Sequence, residues 1–384
     1  MGNNYNVLEI MDEFGPEKVL CVSDPKVGMK GVLVIDNTSR GQGKGGCRMS
    51  PNLSVMEVCR LARTMTWKWA MVDFSLGGAK GGIMADPNSP QKEEIIRSYV
   101  KALKKHIPSD YVFGLDMGLD ESDAAIVVDE LDDLSGSMGK PSELGGLPYD
   151  ELGVTGYGVA EAIEIAVKHK GKDISNTSVS IQGFGAVGKA AAKYLVEKGF
   201  TVVAISTVEG TLVDDNGLDI NKLIKLQKEY GDNIINKYDA GVVKELGEEL
   251  TLNVDVLAPS AIQDVITKNN VNEVKADIIV EGANMPTTPE AEEVLLENGV
   301  LIIPDFVANA GGIIGAAVAM EARTSCMRPS QDVVYNLIEE KMGNNVPLII
   351  EKGLKENLST RKAALKVAKE RVIKAMRLRG NKKC

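Results

Sequence analysis

Histidine is almost absent from this chain: two occur in 384 residues, His106 and His169, each beside lysines at an expected helix end. That scarcity argues against a zinc site or a histidine-based triad, and no metal is expected. The five cysteines (Cys21, Cys47, Cys59, Cys326, Cys384) are odd in number and widely spread. They show no CxxC or metal spacing, so reduced thiols are expected and no disulfides. No apolar run approaches the about 18 residues that a membrane-spanning helix needs. The first residues, MGNNYNVLEIMDEFG, lack the charged-then-apolar pattern of a secretory signal, and a cytoplasmic location is expected. Aromatics are sparse at 4%, and the net charge of −10 argues against nucleic acid or an anionic membrane as the main partner.

What remains is an ordinary globular composition, with 44% hydrophobic and 26% charged residues. Its length exceeds what one core usually supports, so two domains are expected. Between Val32 and Pro51, Val/Ile alternate with glycine-rich polar residues. Ser54 then opens a helical pattern with Val58, Leu61, Ala62 and Met65 on one face, ending near Lys68. Further helices are expected over Pro90–His106 and from Asp120 to Leu134. Glycine clusters between Pro141 and Pro148, which places a boundary there: residues 1–148 as one domain, 149–329 as the other. Beyond it the rhythm becomes βαβ. A helix (Gly158–His169), strand (Thr177–Gln182), helix and strand (Phe200–Ser206) are followed by apolar runs at Val254–Leu257, Ile278–Val280 and Val300–Ile303. Such alternation implies an α/β fold whose second domain is a doubly wound, mostly parallel sheet of Rossmann type. After Cys326 the pattern is helical. The basic excess there accompanies Leu365, Ala368, Val372 and Met376 at three- and four-residue steps, which reads as the solvated face of a packed helix rather than a binding surface.

IQGFGAVGKAA carries Gly183, Gly185 and Gly188 in GxGxxG spacing, after an expected strand and at the opening of a helix from Val187 to Glu197. In that setting the first glycine permits a tight turn, the second lets backbone approach a pyrophosphate, and the third lets the helix pack on the strand. Gly183, Phe184, Gly185, Ala186, Val187 and Gly188 would then face the phosphates at a helix N-terminus. At the end of the next strand, where an acid would bond the ribose of NAD, stand Ser206 and Thr207; Glu209 comes slightly late. Without an acid there, a 2′-phosphate meets no repulsive charge, which leaves NADP, or use of both NAD and NADP, open.

LGGAKGGIMADP sets Lys80 among glycines, either at the wall of a site that backbone can approach closely or in a solvent-facing turn. Lys68 in MTWKWA and Lys44 in GQGKGGCRM have comparable settings. If the three converge, they would bind carboxylate and depress one another's proton affinity, making a lysine usable as a base. Asp116, between glycines in VFGLDMGLDE, is the candidate carboxylate for a proton-transfer pair with Lys80.

KGGCRMSPNLS, MTWKWAMVDFSLGGAKGGIMADP, GLDMGLDESD, VTGYGV, GFGAVG, EGANMPTTPEA and PDFVANAGGI, in that order, resemble the successive motifs of the glutamate/leucine/phenylalanine/valine dehydrogenases. The resemblance covers nearly the whole chain. It implies reversible oxidative deamination of an L-amino acid to its 2-oxo acid and ammonium, with hydride passing to NAD or NADP. Lys68 would hold the substrate α-carboxylate, Lys80 would activate water, and Asp116 would shuttle the proton at nitrogen; Gly77 and Gly78 would approach the substrate through backbone. Thr155 and Asn309 would lie by the nicotinamide, with Ala283 and Asn284 near its ribose. The resemblance also implies a hinged cleft, C-terminal helices (330–384) packed back on the first domain, and a homo-oligomer, a hexamer or alternatively an octamer.

Glutamate-type members pair a lysine, matched by Lys44, with a serine after the NAGG segment, where this chain has Ala316. VTGYGV is similar to the leucine type, whereas MTWKWA and GLDMG are similar to the glutamate type. An unpaired cation at the end of an apolar pocket is costly, so Lys44 favours an acidic side chain and glutamate as substrate. A branched-chain amino-acid dehydrogenase is the alternative. Two other classes are a pyridoxal-phosphate enzyme using Lys80, which the glycine fingerprint opposes, and a silent nucleotide- and amino-acid-binding homologue, which the presence of both Lys80 and Asp116 opposes.

Overall fold

In the computed structural model the described residues are 7–147, 152–327 and 329–380. The boundary expected at 148/149 and the thiol of Cys384 lie outside them. The chain divides into two units, the first comprising Met1–Pro148, Ala316–Ser330 and Leu365–Cys384, the second Tyr149–Gly315 and Gln331–Ala364.

The first unit is built on a mixed sheet. Strands β1 (Lys18–Asp24), β2 (Met29–Asn37), β3 (Gly43–Lys44), β4 (Cys47–Met49), β5 (Gly77–Ile83) and β6 (Tyr111–Val112) are joined in the order β1-β2-β5-β3-β6, with β4 also on β5. Helix α1 (Val55–Met71) covers one face; α2 (Lys92–Leu103) and α3 (Glu121–Leu131) flank a core of Leu33, Ile35, Ile83, Ile96, Tyr99, Leu103 and Phe113. Ser54 caps α1 by accepting from the Glu57 amide, and Asp120 and Asp123 form a capping box at the start of α3.

The lysine-bearing glycine stretch is no turn. It is β5, buried along its whole length, with β2 on one side and β3 and β4 on the other. A Cβ on Gly78 would stand 2.0 Å from Thr66 Oγ1 and 2.7 Å from the Ala62 carbonyl, so glycine here lets α1 lie directly on the strand. Arg371 then closes the end of α1 by donating to the carbonyls of Ala70 and Met71 at 2.9 and 2.6 Å.

The second unit holds α4 (Val154–His169), β7 (Ser178–Gln182), α5 (Ala186–Glu197), β8 (Thr201–Thr207), β9 (Gly210–Val213), α6 (Ile220–Tyr230), β10 (Val242–Lys244), β11 (Val256–Pro259), β12 (Ile278–Val280), α7 (Pro289–Glu297), β13 (Leu301–Ile303) and α8 (Asp305–Ala308). Its sheet order is β10-β9-β8-β7-β11-β12-β13, parallel from β8 to β13 with the β8-β9-β10 end antiparallel. Helix α4 begins four residues earlier than the periodicity suggests, because Gly153 in the left-handed region starts it at Val154.

Three helices complete the chain: α9 (Gly311–Ala322), α10 (Gln331–Glu356) and α11 (Thr360–Leu378). The expectation that 330–384 all belong with the first domain is corrected, since Gln331–Ala364 cluster with the second unit. The reason is aromatic. Tyr335 of α10 packs 4.4 Å from the ring of Tyr157 on α4 and 5.7 Å from that of Tyr194 on α5, and its hydroxyl donates to the Leu152 carbonyl at 2.9 Å. From Leu365 onward α11 buries Ala368, Val372 and Met376 and exposes Lys366, Lys374 and Arg377.

Gly78→Ala is expected to destabilise the protein by about 1–3 kcal/mol in thermal or denaturant unfolding, the usual range for overpacking. Gly343→Ala, at an exposed α10 position where an added Cβ meets nothing within 4 Å, is expected to be neutral or stabilising by about 0.5–1 kcal/mol. Equal effects would mean that α1 does not depend on this approach.

Candidate active site

Strand register alone sets three cations on one face of the first sheet. Side chains alternate along β5, so Lys80 shares the face of Gly78, which α1 covers. Lys44 pairs with Gly78 across β3 and β5, and Arg48 pairs with Gly82 across β4 and β5, so both join that face. Asp116, in the loop between β6 and α3, is brought to them. Lys80 Nζ is 2.8 Å from Asp116 Oδ2, and Arg48 Nε donates to the same oxygen at 2.9 Å while its Nη1 reaches Glu57 at 2.8 Å.

Burial would raise the carboxyl of Asp116, yet Lys80 and Arg48 outweigh it and hold the group below the ordinary aspartate range. Lys44 is the opposite case. It is 2% exposed, and its ammonium donates to the carbonyls of Val112 and Gly45 at 3.2 and 3.4 Å. Among the described residues no carboxylate pairs with it. Burial, with Lys80 and Arg323 adding like charge, pushes it down to about 7. Two neighbours shape its place: Trp69 Nε1 donates to the Lys44 carbonyl at 2.9 Å, and a Cβ on Gly114 would stand 2.3 Å from Lys44 Nζ.

Lys68 is half-buried in the last turn of α1, and Gly77 and Gly78 open β5 beneath that helix. Ala316 clusters with the same unit from α9. Sequence reasoning passed over Arg48, which lies inside a quoted motif. The signal was its two-residue-period relation to Lys44 and Lys80 through the register, which only the sheet order reveals.

In the second unit the fingerprint glycines separate into three environments. Gly183 has φ +90°, and its Cβ would strike Ala261; Gly188 lies against the Gly183 carbonyl, which a Cβ would approach to 2.0 Å. Around Gly185 an added Cβ meets nothing within 4 Å. The turn and the helix packing thus require two of the glycines, and the third leaves backbone bare at the N-terminus of α5, which no side chain caps. That open cradle suits a pyrophosphate. Phe184 is buried, with its carbonyl accepting from Gln227; Ala186 and Val187 form the first turn of α5.

Other dinucleotide candidates gather at the carboxyl ends of β7, β11 and β12. The amides of Gly282 and Ala283 both donate to the Pro259 carbonyl at 2.9 Å, and Ser260 donates to the Gln182 carbonyl at 2.8 Å. Asn309 Nδ2 donates to Asn284 Oδ1 at 3.0 Å, and a Cβ on Gly312 would meet Thr155 Oγ1 at 2.7 Å. Ser206 and Thr207 stand at the end of β8, and their hydroxyls are engaged by protein. Ser206 Oγ accepts from the Gly183 amide at 2.9 Å and donates to buried Glu249 at 3.1 Å; Thr207 donates to the Asp232 carbonyl at 2.8 Å. Val208 and Glu209 are the exposed residues of that turn.

The family model "Glutamate/Leucine/Phenylalanine/Valine dehydrogenase" matches residues 145–380, and "Glu/Leu/Phe/Val dehydrogenase, dimerisation domain" matches residues 16–133. The NADP-specific glutamate dehydrogenase of Saccharolobus shibatae is 35% identical, covering 99% of this chain and 93% of that protein. Glutamate dehydrogenase of Aeropyrum pernix is 36% identical over 90% of this chain and 85% of its own. Among solved structures, the hetero-hexameric glutamate dehydrogenase of Thermus thermophilus in its Leu-bound form superposes with a TM-score of 0.80 at 30% identity, covering 95% of this chain and 90% of that one. The chain therefore belongs to the glutamate/leucine/phenylalanine/valine dehydrogenase family, as an NAD(P)-dependent amino-acid dehydrogenase.

Proposed function

We propose that the chain interconverts L-glutamate with 2-oxoglutarate and ammonium, using NADP or both nicotinamides. The observation that carries this reading is Asp116 in contact with Lys80 and Arg48 on the sheet face that also holds buried Lys44. Bound at the second unit, the nicotinamide would accept hydride from the substrate α-carbon. Lys44 would take the side-chain carboxylate, which supplies the negative charge its pocket lacks, and Lys68 the α-carboxylate. Asp116, kept ionised by its two cations, would accept the proton leaving the substrate nitrogen. Lys80 would direct water onto the imino carbon, and the oxygen gained by the oxo acid replaces the nitrogen lost as ammonium. Gly183, Gly185 and Gly188 with the α5 N-terminus would hold the pyrophosphate, and Ala283, Asn284, Thr155 and Asn309 the nicotinamide side. NADP use is supported by the lack of an acid at residues 206–208 and by the NADP-specific relative. A homo-oligomer, hexameric or alternatively octameric, is the assembly proposed; the dimerisation-domain match supports self-association, and the hetero-hexameric relative supports six subunits. The free thiols Cys21, Cys47, Cys59 and Cys326 fit a reducing, cytoplasmic setting.

Ala316 at the serine position favours a second reading, a branched-chain amino-acid dehydrogenase. Initial rates for about ten amino acids, each with NAD and with NADP, decide between them. Glutamate is expected to have the highest kcat/KM, and a preference for leucine or valine would reject the first reading. Lys80→Ala is expected to cut turnover about 10²–10⁴-fold, the usual contribution of a positioned acid or base, while NADPH still binds. Substantial residual activity would remove Lys80 from its role.

Lys44 generates a pH signature. Its ammonium is lost as pH rises through about 7, and only the charged form attracts a carboxylate. The ratio of kcat/KM for glutamate to that for norvaline is therefore expected to fall above that pH by about tenfold per pH unit. In Lys44→Leu the ratio should be low and flat, with apolar substrates favoured. A ratio in the native chain that does not change with pH would show that Lys44 does not meet the substrate.

A further inference from the structure

Behind the nicotinamide-side loop the second unit buries a charge cluster to which the proposed chemistry assigns no role. Arg361, in the first turn of α11, reaches three carboxylates: Nε to Glu292 Oε2 at 2.8 Å, Nη1 to Asp305 Oδ1 at 2.7 Å, and Nη2 to Glu281 Oε2. Glu281 is wholly buried at the end of β12, Asp305 opens α8, and Glu292 lies on α7.

Two of these acids hold the loop's main chain. The Asp305 amide donates to Glu281 Oε2 at 2.9 Å, and the Met285 amide donates to Asp305 Oδ2 at 3.0 Å. Met285 has φ +48°, a left-handed conformation that a side chain adopts only when its surroundings impose it. Glu281 immediately precedes Gly282, Ala283 and Asn284, and Met285 immediately follows them. One guanidinium thus ties down both ends of that triplet. Helix α8, which Asp305 opens, is followed directly by Asn309, whose amide bonds Asn284 and also the Gly282 carbonyl at 3.4 Å.

We propose that Arg361 is a positioning residue for dinucleotide binding, holding the Gly282–Asn284 loop and the Asn309 amide in register through Glu281 and Asp305. The inference rests on the dehydrogenase reading of that loop.

The cluster carries three acids against one guanidinium. Burial pushes the carboxyl of Glu281 up to about 7; Arg361 opposes that rise and Asp305 adds to it. Arg361 itself would be lowered by burial, but Glu281, Asp305 and Glu292 together hold it above the ordinary arginine range. Among the described residues the groups facing Glu281 are Arg361 from α11, Asp305 from α8 and the Thr287 hydroxyl, with Glu292 of α7 acting through Arg361. Among the described residues no well-formed hydrogen bond reaches buried Glu281 Oε1, although the Thr287 hydroxyl faces the carboxyl. Above about pH 7 the acid adds a negative charge that Arg361 alone offsets, so the loop should depend on Arg361 more at high pH than at low.

The test is NADPH affinity of the full chain by fluorescence titration at about pH 6 and about pH 8.5, either side of the Glu281 proton. Arg361→Gln is expected to weaken binding about tenfold at the higher pH and less at the lower, with Arg361→Lys recovering part of the loss. Glu281→Gln keeps the acceptor oxygen and removes the titration, so it should bind NADPH with a flattened pH dependence. Glu292→Gln, outside the loop, should stay within about twofold of the native chain. Should Arg361→Gln fail to fold, the Glu281→Gln pH profile and Arg361→Lys still decide. Native-like NADPH binding by Arg361→Gln at both pH values, equal losses in Arg361→Gln and Glu292→Gln, or an unchanged pH dependence in Glu281→Gln would each overturn the proposal. A native chain that binds neither NADPH nor NADH would instead overturn the dehydrogenase reading, and this inference with it.

Discussion

The contact between α1 and β5 is the constraint on which the first unit's chemistry rests. A helix usually stands off a sheet by the thickness of two layers of side chains. Here Gly78 removes one layer, and Ala62 and Thr66 thin the other, so the helix backbone comes almost against the strand. The approach is locked from the side by a buried carboxylate, Asp36 of β2. It accepts from Arg63 Nε at 2.9 Å and from Thr66 Oγ1 at 2.5 Å, both on α1. Burial raises the Asp36 carboxyl despite those two donors, which shows how fully the junction excludes water. Because α1 is held this close, Lys68 and Trp69 sit over a strand whose own lysine has little room to turn away.

Much of this could be read in the sequence, and the parts that could not share a cause. Helices α1, α2, α3 and α5 and strands β7, β8, β11, β12 and β13 were visible because each obeys a local period and a local boundary signal, such as Ser54 or Asp120 at an N-cap. The glycines of β5 misled in one respect. Flexibility at a turn and closeness within a strand call for the same residue, and only the partner helix tells them apart. Lys80 and Asp116 were legible as chemistry but not as neighbours; 36 positions separate them, and it is the β5-β3-β6 order that closes the gap. The antiparallel extension β9-β10 and the allegiance of α10 were missed for the same reason, since Tyr157, Tyr194 and Tyr335 form one contact from three distant segments.

Ser206 shows how one location can carry a structural role beside the one expected of it. It stands at the end of β8, where the sequence pattern points to a ribose. In the folded unit it is the strut between the Gly183 amide and Glu249, which also accepts from Thr211 at 2.6 Å and from the Gly247 amide at 2.8 Å. Arg361 plays a similar part beneath the Gly282–Asn284 loop. In both cases a buried acid organises main chain at the carboxyl edge of the sheet. Sequence reading that looks for side chains facing a ligand has no means of seeing the side chains that stand behind one.

Lys44 makes the strongest physical case for an acidic substrate, because its position is hard to explain by stability. Lowering an ammonium from 10.5 to about 7 corresponds to roughly 5 kcal/mol at about 1.4 kcal/mol per pH unit, the cost of keeping that charge buried against two carbonyls and near other cations. A leucine of similar length would avoid the cost and fill the same space. Neighbouring Arg48 and Lys80 both meet Asp116, so the fold is able to supply carboxylates on this face, and among the described residues none is supplied to Lys44. On the proposed reading, a charge so placed would gain its counter-ion when a ligand brings one. An apolar amino acid would leave the pocket as it is, whereas a dicarboxylate would restore the lysine's proton on binding. On the glutamate reading, Ala316 in the serine's place would remove a hydrogen bond from that arrangement and leave the ion pair, the larger of the two interactions around a lysine this buried.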